Sequence, residues 1–95
     1  MSEGAALPGD EAIPRLPRGV RLRHDEARGW LLLGPERVLQ ADSIAGEILK
    51  RCTGERTIRD IVDDLAATFT AERARIDADV RALLADLAAK RLVDL

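Results

Sequence analysis

Four sets of side chains in this 95-residue chain have the types that could do chemistry. His24 is the only histidine. Asp25 and Glu26 adjoin it, but neighbours along a strand point to opposite faces, so the three do not converge on a metal. It reads as a surface histidine beside a turn. Cys52 is the only cysteine, so no intramolecular disulfide can form. It falls near the C-terminal end of an apolar helix face, where the helix dipole disfavours a thiolate although Lys50 and Arg51 favour one. It reads as a small core residue, the usual fate of a free cysteine. Ser43 has no general base nearby, and a helix cap explains it. Asp63-Asp64 and Asp77 with Asp79 could be paired carboxylates for acid–base work. With no cleft or histidine to organise them, they read as solvated helix surface. No nucleophile–base pair, metal-ligand cluster or phosphate loop remains. The chain reads as a protein that binds and does not catalyse, with no cofactor and no metal.

Composition narrows the partners. With 15 basic and 17 acidic residues, the net charge is -2, and no basic block stands out. That argues against nucleic acid. There is no basic amphipathic helix with aromatic anchors for a membrane surface, and no apolar run approaching a span. Residues 1–18 contain Pro8, Pro14 and Pro17 and no apolar stretch, so no signal peptide is expected. With the lone cysteine, this suggests a cytoplasmic protein.

The elements that would position any site follow from periodicity. Residues 1–17 are small, polar or proline residues, expected to be a flexible arm from which Ile13 and Leu16 could dock. The remaining residues, 18–95, form one domain. Val20, Leu22 and His24 alternate with Arg21 and Arg23, which is a half-buried strand. Asp25 to Gly29 make a hairpin loop. Trp30-Leu31-Leu32-Leu33 is apolar on both faces, as a central strand would be. After Gly34-Pro35-Glu36, Arg37-Val38-Leu39-Gln40 makes a third strand. The simplest topology is an antiparallel meander with two edges.

Three helices are expected next. Asp42 or Ser43 caps the first, whose apolar face carries Ile44, Ala45, Ile48, Leu49 and Cys52, and Gly54 supplies its left-handed stop. Thr57 caps the second, with Asp60 completing a capping-box-like pair. Its stripe is Ile58, Ile61, Val62, Leu65 and Phe69. The third spans about 71–90 with Ile76, Val80, Leu83, Leu84 and Leu87 along it. The fold class is α+β.

The third strand carries the sharper signal. An exposed edge offers unpaired N–H and C=O groups to another extended chain, and natural edges are blunted by Lys, Pro or bulges. Val38-Leu39-Gln40-Ala41 contains neither Lys nor Pro. This edge is either covered or dimerised, or it captures a peptide by strand addition.

An ordered set of residues resembles the PqqD family of pyrroloquinoline quinone biosynthesis. It comprises Gly19-Val20-Arg21-Leu22; Pro35-Glu36 with Val38-Leu39; Ala45 with Glu47-Ile48-Leu49; Cys52-Thr53-Gly54 with Thr57-Ile58; and Asp79-Val80 with Leu83-Leu84 and Leu87. It extends from about residue 14 to the C-terminus, and the set is specific where no single motif is. The resemblance implies a winged-helix-like peptide-recognition domain of three strands and three helices. It implies a peptide chaperone that binds a ribosomally made, PqqA-like precursor peptide as a strand beside the third strand and against the third helix. The chaperone presents that peptide to a PqqE-like radical S-adenosylmethionine enzyme, which cross-links Glu and Tyr side chains. Carried onto this sequence, the peptide-binding residues would be Arg37, Val38, Leu39 and Gln40 on the edge, and Ile76, Asp79, Val80 and Leu83 on the helix. Arg37 and Asp79 would be polar contacts. Two alternatives stand beside this. One is a winged helix that binds DNA, against which Asp60, Asp63 and Asp64 on the second helix weigh. The other is a dimerisation module, in which the edge or the arm pairs with a second copy as a homodimer.

Overall fold

The structure, a computed structural model, describes residues 7–95. Three strands, β1 (Arg21–Asp25), β2 (Gly29–Leu33) and β3 (Val38–Ala41), precede three helices, α1 (Ser43–Lys50), α2 (Ile58–Thr68) and α3 (Arg73–Ala89). The sheet is an antiparallel meander in the order β1-β2-β3. The expected α+β arrangement is observed.

Register decides what each face of the sheet does. Leu22, Leu32 and Leu39 lie side by side across the three strands. That face meets the core with Ile48, Leu49 and Cys52 of α1, Ile58, Ile61, Val62 and Leu65 of α2, and Val80, Leu84 and Leu87 of α3. On the other face Leu31 sits between Arg23 and Gln40. Leu31 is buried yet stands outside the core cluster. Its register neighbours Arg23 and Gln40 are the long polar side chains whose aliphatic stems suit covering an apolar residue on a sheet face that carries no helix.

The helix starts follow capping chemistry. Asp42 Oδ1 accepts the Ala45 N–H at 2.8 Å. Thr57 and Asp60 complete a reciprocal capping box, at 3.1 and 3.2 Å. No side chain caps α3 at Glu72. Its C-terminal end is closed instead by a Schellman pair: Leu92 N–H donates to Leu87 O and Arg91 N–H to Ala88 O.

Two sequence expectations change. The first concerns the arm, whose residues 1–6 lie outside the described residues. Residues 10–15 are strapped to the domain. The Arg59, Ile58 and Gly54 N–H groups donate to the carbonyls of Asp10, Ala12 and Pro14, and Arg15 exchanges two backbone bonds with Asp94. The physical reason is that the first N–H groups of a helix have no intrahelical acceptor, and arm carbonyls supply one at α2. Pro14, not Ile13, is the residue buried there, while Leu16 packs on the core. The second concerns Gly54. α1 ends at Lys50 with Arg51 as its cap, three residues before Gly54. The left-handed Gly54 (φ 84°) sits where the arm crosses, with space for only a tight contact to Arg15. It seats the arm and does not stop the helix.

Candidate functional site

β3 is an edge of the sheet, and its outward backbone groups can be assigned. Gly34 N–H donates to Arg37 O at 2.9 Å, which makes 34 and 37 a hydrogen-bonded pair. Pairs alternate along an antiparallel ladder. The register then gives Leu32 with Leu39 and Trp30 with Ala41 as the next bonded pairs. Leu39 and Ala41 therefore spend their backbone groups on β2. The N–H and C=O groups of Val38 and Gln40 point away from the sheet. Arg37, expected to open the strand, precedes it: β3 runs Val38–Ala41, and the Arg37 carbonyl accepts the Gly34 N–H across the turn.

A cleft of about 330 Å³ runs between this edge and α3. Its floor is apolar, from Leu32, Leu39, Ala45, Leu49, Leu83 and Leu87, and Asp42, Asp86 and Lys90 stand at its polar rim. Lys90 Nζ donates to Asp86 Oδ2 at 2.8 Å, and Gln40 Nε2 donates to Arg28 O at 2.7 Å, so these side chains are held in place.

Of the residues expected to contact a peptide, Leu39, Gln40 and Leu83 line this cleft. Val38 and Arg37 are exposed and are not among the residues lining the cleft. Ile76 and Asp79 line a neighbouring hollow instead. Val80 is corrected: it is fully buried and belongs to the core. On α3 the residues at 80, 84 and 87 turn inward, whereas 76, 79, 83, 86 and 90 follow one another at spacings of three and four along a different stripe. Asp86 and Lys90 went unnoticed in the sequence, although continuing that spacing from Leu83 reaches both.

The groups that could do chemistry are apart and occupied. Cys52 is buried and its Sγ donates to Ile48 O at 3.3 Å; burial pushes the thiol up to about 12. His24 packs edge-on to Trp30 with ring centres 4.8 Å apart. Asp63 pairs with Arg73, Asp64 with Arg51 and Arg56, and Asp77 with Arg81. Arg81 holds the Asp77 carboxyl below its ordinary range, and Arg51 does the same for Asp64. Among the described residues no group of three or more His, Cys, Asp or Glu could hold a metal ion. What the cleft offers is two outward backbone positions on an edge, an apolar floor and a polar end, a set of contacts suited to an extended chain.

A three-stranded antiparallel meander followed by three helices places the chain among winged-helix-like domains. More narrowly, the chain belongs to the PqqD family: the family model for coenzyme PQQ synthesis protein D matches residues 29–93. It is 52% identical over 82 residues to the PqqA binding protein of Rhodopseudomonas palustris strain HaA2, across 85% of this chain and 80% of that one. It matches the solution structure of the PqqD truncation of Methylobacterium extorquens PqqCD, described as a functional, stand-alone recognition element for ribosomally synthesised and modified peptides. That match has a TM-score of 0.83 and 42% identity, over 96% of this chain and 97% of that one. A lasso peptide synthetase B1 complexed with its leader peptide shares the fold at TM-score 0.76 and 21% identity, covering 88% of this chain and 100% of that one.

Proposed function

We propose that this chain binds a PqqA-type precursor peptide as a fourth strand on β3. Its side chains would enter the cleft against Leu39, Leu83 and Leu87. The observation that carries the reading is the edge itself: Val38 and Gln40 direct their backbone groups outward, directly beside an apolar cleft. The names of the relatives point the same way.

The chain then acts as a carrier. It presents the peptide to a PqqE-like radical S-adenosylmethionine enzyme and does no chemistry itself, in the cytoplasm. Among the described residues no helix is long and apolar enough to cross a membrane. Arg37 reaches the peptide from the turn before β3, and Asp79 from α3. A second copy would compete for the same edge, so any homodimer is a form that peptide displaces.

Energetics suit a carrier. Backbone hydrogen bonds net about 0.5–1.5 kcal/mol each, and a fully buried apolar side chain adds about 1.5–3 kcal/mol. Ordering a loose peptide offsets part of that gain. A micromolar complex, roughly -8 kcal/mol, is expected. The test is titration of labelled precursor peptide while backbone amide shifts are followed. Saturable shifts at Val38, Gln40 and Leu83 are expected, and no binding at tens of micromolar would overturn the reading.

A further inference from the structure

A second hollow of about 340 Å³ lies farther along α3, towards its N-terminal end. Its apolar walls are Ile44 of α1, Leu65 and Phe69 from the end of α2, and Ile76 of α3. Ile44 is 61% exposed and Phe69 43%. Neither contributes to the core cluster. Apolar side chains gathered around one concavity and rimmed by polar groups mark a place where something docks.

The hollow continues the β3 cleft. On α3 the stripe Ile76, Asp79, Leu83, Asp86 and Lys90 serves both: the first two residues line the hollow and the last three line the cleft. α1 divides itself the same way, giving Ile44 to one and Ala45 to the other. A chain that leaves the cleft past Ala41 and follows this stripe meets the hollow. The α3 residues lining the two are centred roughly ten positions apart, about 15 Å at the helical rise. An extended peptide covers that in about four or five residues.

We infer that this hollow is a second anchor for the same ligand. It receives one bulky apolar side chain of an extended peptide, about four or five residues from the strand-forming segment and beyond the Ala41 end of β3. The inference rests on the reading that β3 accepts a peptide strand. The described arm does not fill the hollow: Arg81 holds Pro8 O at 2.7 Å and also pairs with Asp10, and Arg81 lies across α3 from Asp79.

Ile44→Asp is the informative variant. Ile44 is the second residue of α1, and an acid in a first turn favours the helix, so the fold is retained. The probes are the full PqqA-type precursor peptide and a version truncated to the stretch that shifts the β3 amides. Ile44→Asp should weaken the full peptide about tenfold, Ile44→Leu should leave it within about twofold, and the truncated peptide should bind all three proteins alike. The amides of Ile44, Phe69 and Ile76 should shift with the full peptide only. If wild type shows β3 shifts while Ile44→Asp binds the full peptide equally well, the groove ends at Ala41 and the inference is wrong although the peptide reading stands. A change of oligomeric state in Ile44→Asp with peptide affinity unchanged would overturn it in favour of a second copy. Absence of any binding to wild type would remove both readings.

Discussion

The indole of Trp30 lies so close to the backbone of Gly46 that a β-carbon on Gly46 would overlap its Cδ1. Trp30 comes from the central strand and Gly46 from the middle of α1. Their contact sets how closely α1 approaches the sheet, and α1 is the wall shared by the β3 cleft and the hollow beside it. Lys50 Nζ, one turn on from Gly46, sits 5.7 Å from the same ring. Helix propensity alone would favour alanine at 46 by up to about 1 kcal/mol. Overpacking costs about 1–3 kcal/mol and wins, because the obstacle is a ring held between sheet and helix. Gly46→Ala is expected to lower stability by about 2 kcal/mol net in urea denaturation. A neutral or stabilising result would mean that Trp30 can move aside.

Alternation along β3 separates two proline substitutions one residue apart. Val38 opens the strand with its N–H facing away from β2, a position where proline is tolerated. Leu39 bonds to Leu32, so proline there removes a ladder bond and disturbs a core side chain. Val38→Pro should fold and bind precursor peptide about threefold to tenfold more weakly, the worth of one hydrogen bond. Leu39→Pro should lose several kcal/mol of stability. Circular dichroism together with the peptide titration distinguishes the two; equal damage to the fold would refute the assigned pairing.

Elements with local causes were legible in the sequence. The alternation of Val20, Leu22 and the following arginines marked β1, and Thr57 with Asp60 marked the start of α2. So did the edge at Val38 and Leu39, since strand order follows from two short turns. What escaped depends on partners distant in the chain. Pro14 is buried and the arm is strapped because Ile58 and Arg59, more than forty residues on, have N–H groups in need of acceptors. Val80 and Leu83 belong to one apolar stripe by composition. Only the packing of α2 against α3 shows that Val80 faces the core and Leu83 the cleft. Gly46 carries no sequence signal, since its role is defined by a tryptophan in another element.

Acid should loosen the strap. Asp10 and Asp77 both hydrogen-bond Arg81, which holds each carboxyl below its ordinary value, and Arg59 adds to the effect on Asp10. A carboxylate whose folded pKa is depressed contributes stability that is present above the unfolded value. That stability is lost as pH falls through the folded one. Stability should therefore be level near neutrality and fall below about pH 4. Arg81→Met keeps the stem and removes the charge. Its urea midpoint should be lower at pH 7, and the difference from wild type should shrink towards pH 2. A constant difference across that range would mean that the side chain acts by packing alone.

Cys52 should be chemically silent while the protein is folded. It is 4% exposed, and a thiol pushed up to about 12 holds almost no thiolate at pH 8. Ellman's reagent should react with it only through opening of the domain, at a rate that rises with urea in step with unfolding. Rapid modification of the native protein, without loss of helical signal, would contradict its burial. Cys52→Ser keeps a donor for Ile48 O but buries a more polar group, at a cost of about 1–2 kcal/mol.

One position carries strain that a single change relieves. Arg91 has φ of 62° and is the one non-glycine residue with positive φ among those described. It occupies the left-handed position of the α3 Schellman motif, where glycine is the usual residue and a β-carbon costs roughly 1–2 kcal/mol. Leu92, the next residue, is buried in the core, which holds the chain in this conformation. Arg91 is exposed and makes no side-chain ion pair among the described residues. Arg91→Gly removes the steric penalty but gives the unfolded chain more freedom, which returns part of the gain. A net stabilisation of about 0.5–1 kcal/mol is expected from thermal and urea denaturation. Peptide affinity should not change, since Arg91 lines neither the cleft nor the hollow. Destabilisation by Arg91→Gly would show that the guanidinium contributes more at this helix end, where a cation complements the dipole, than the strained backbone costs.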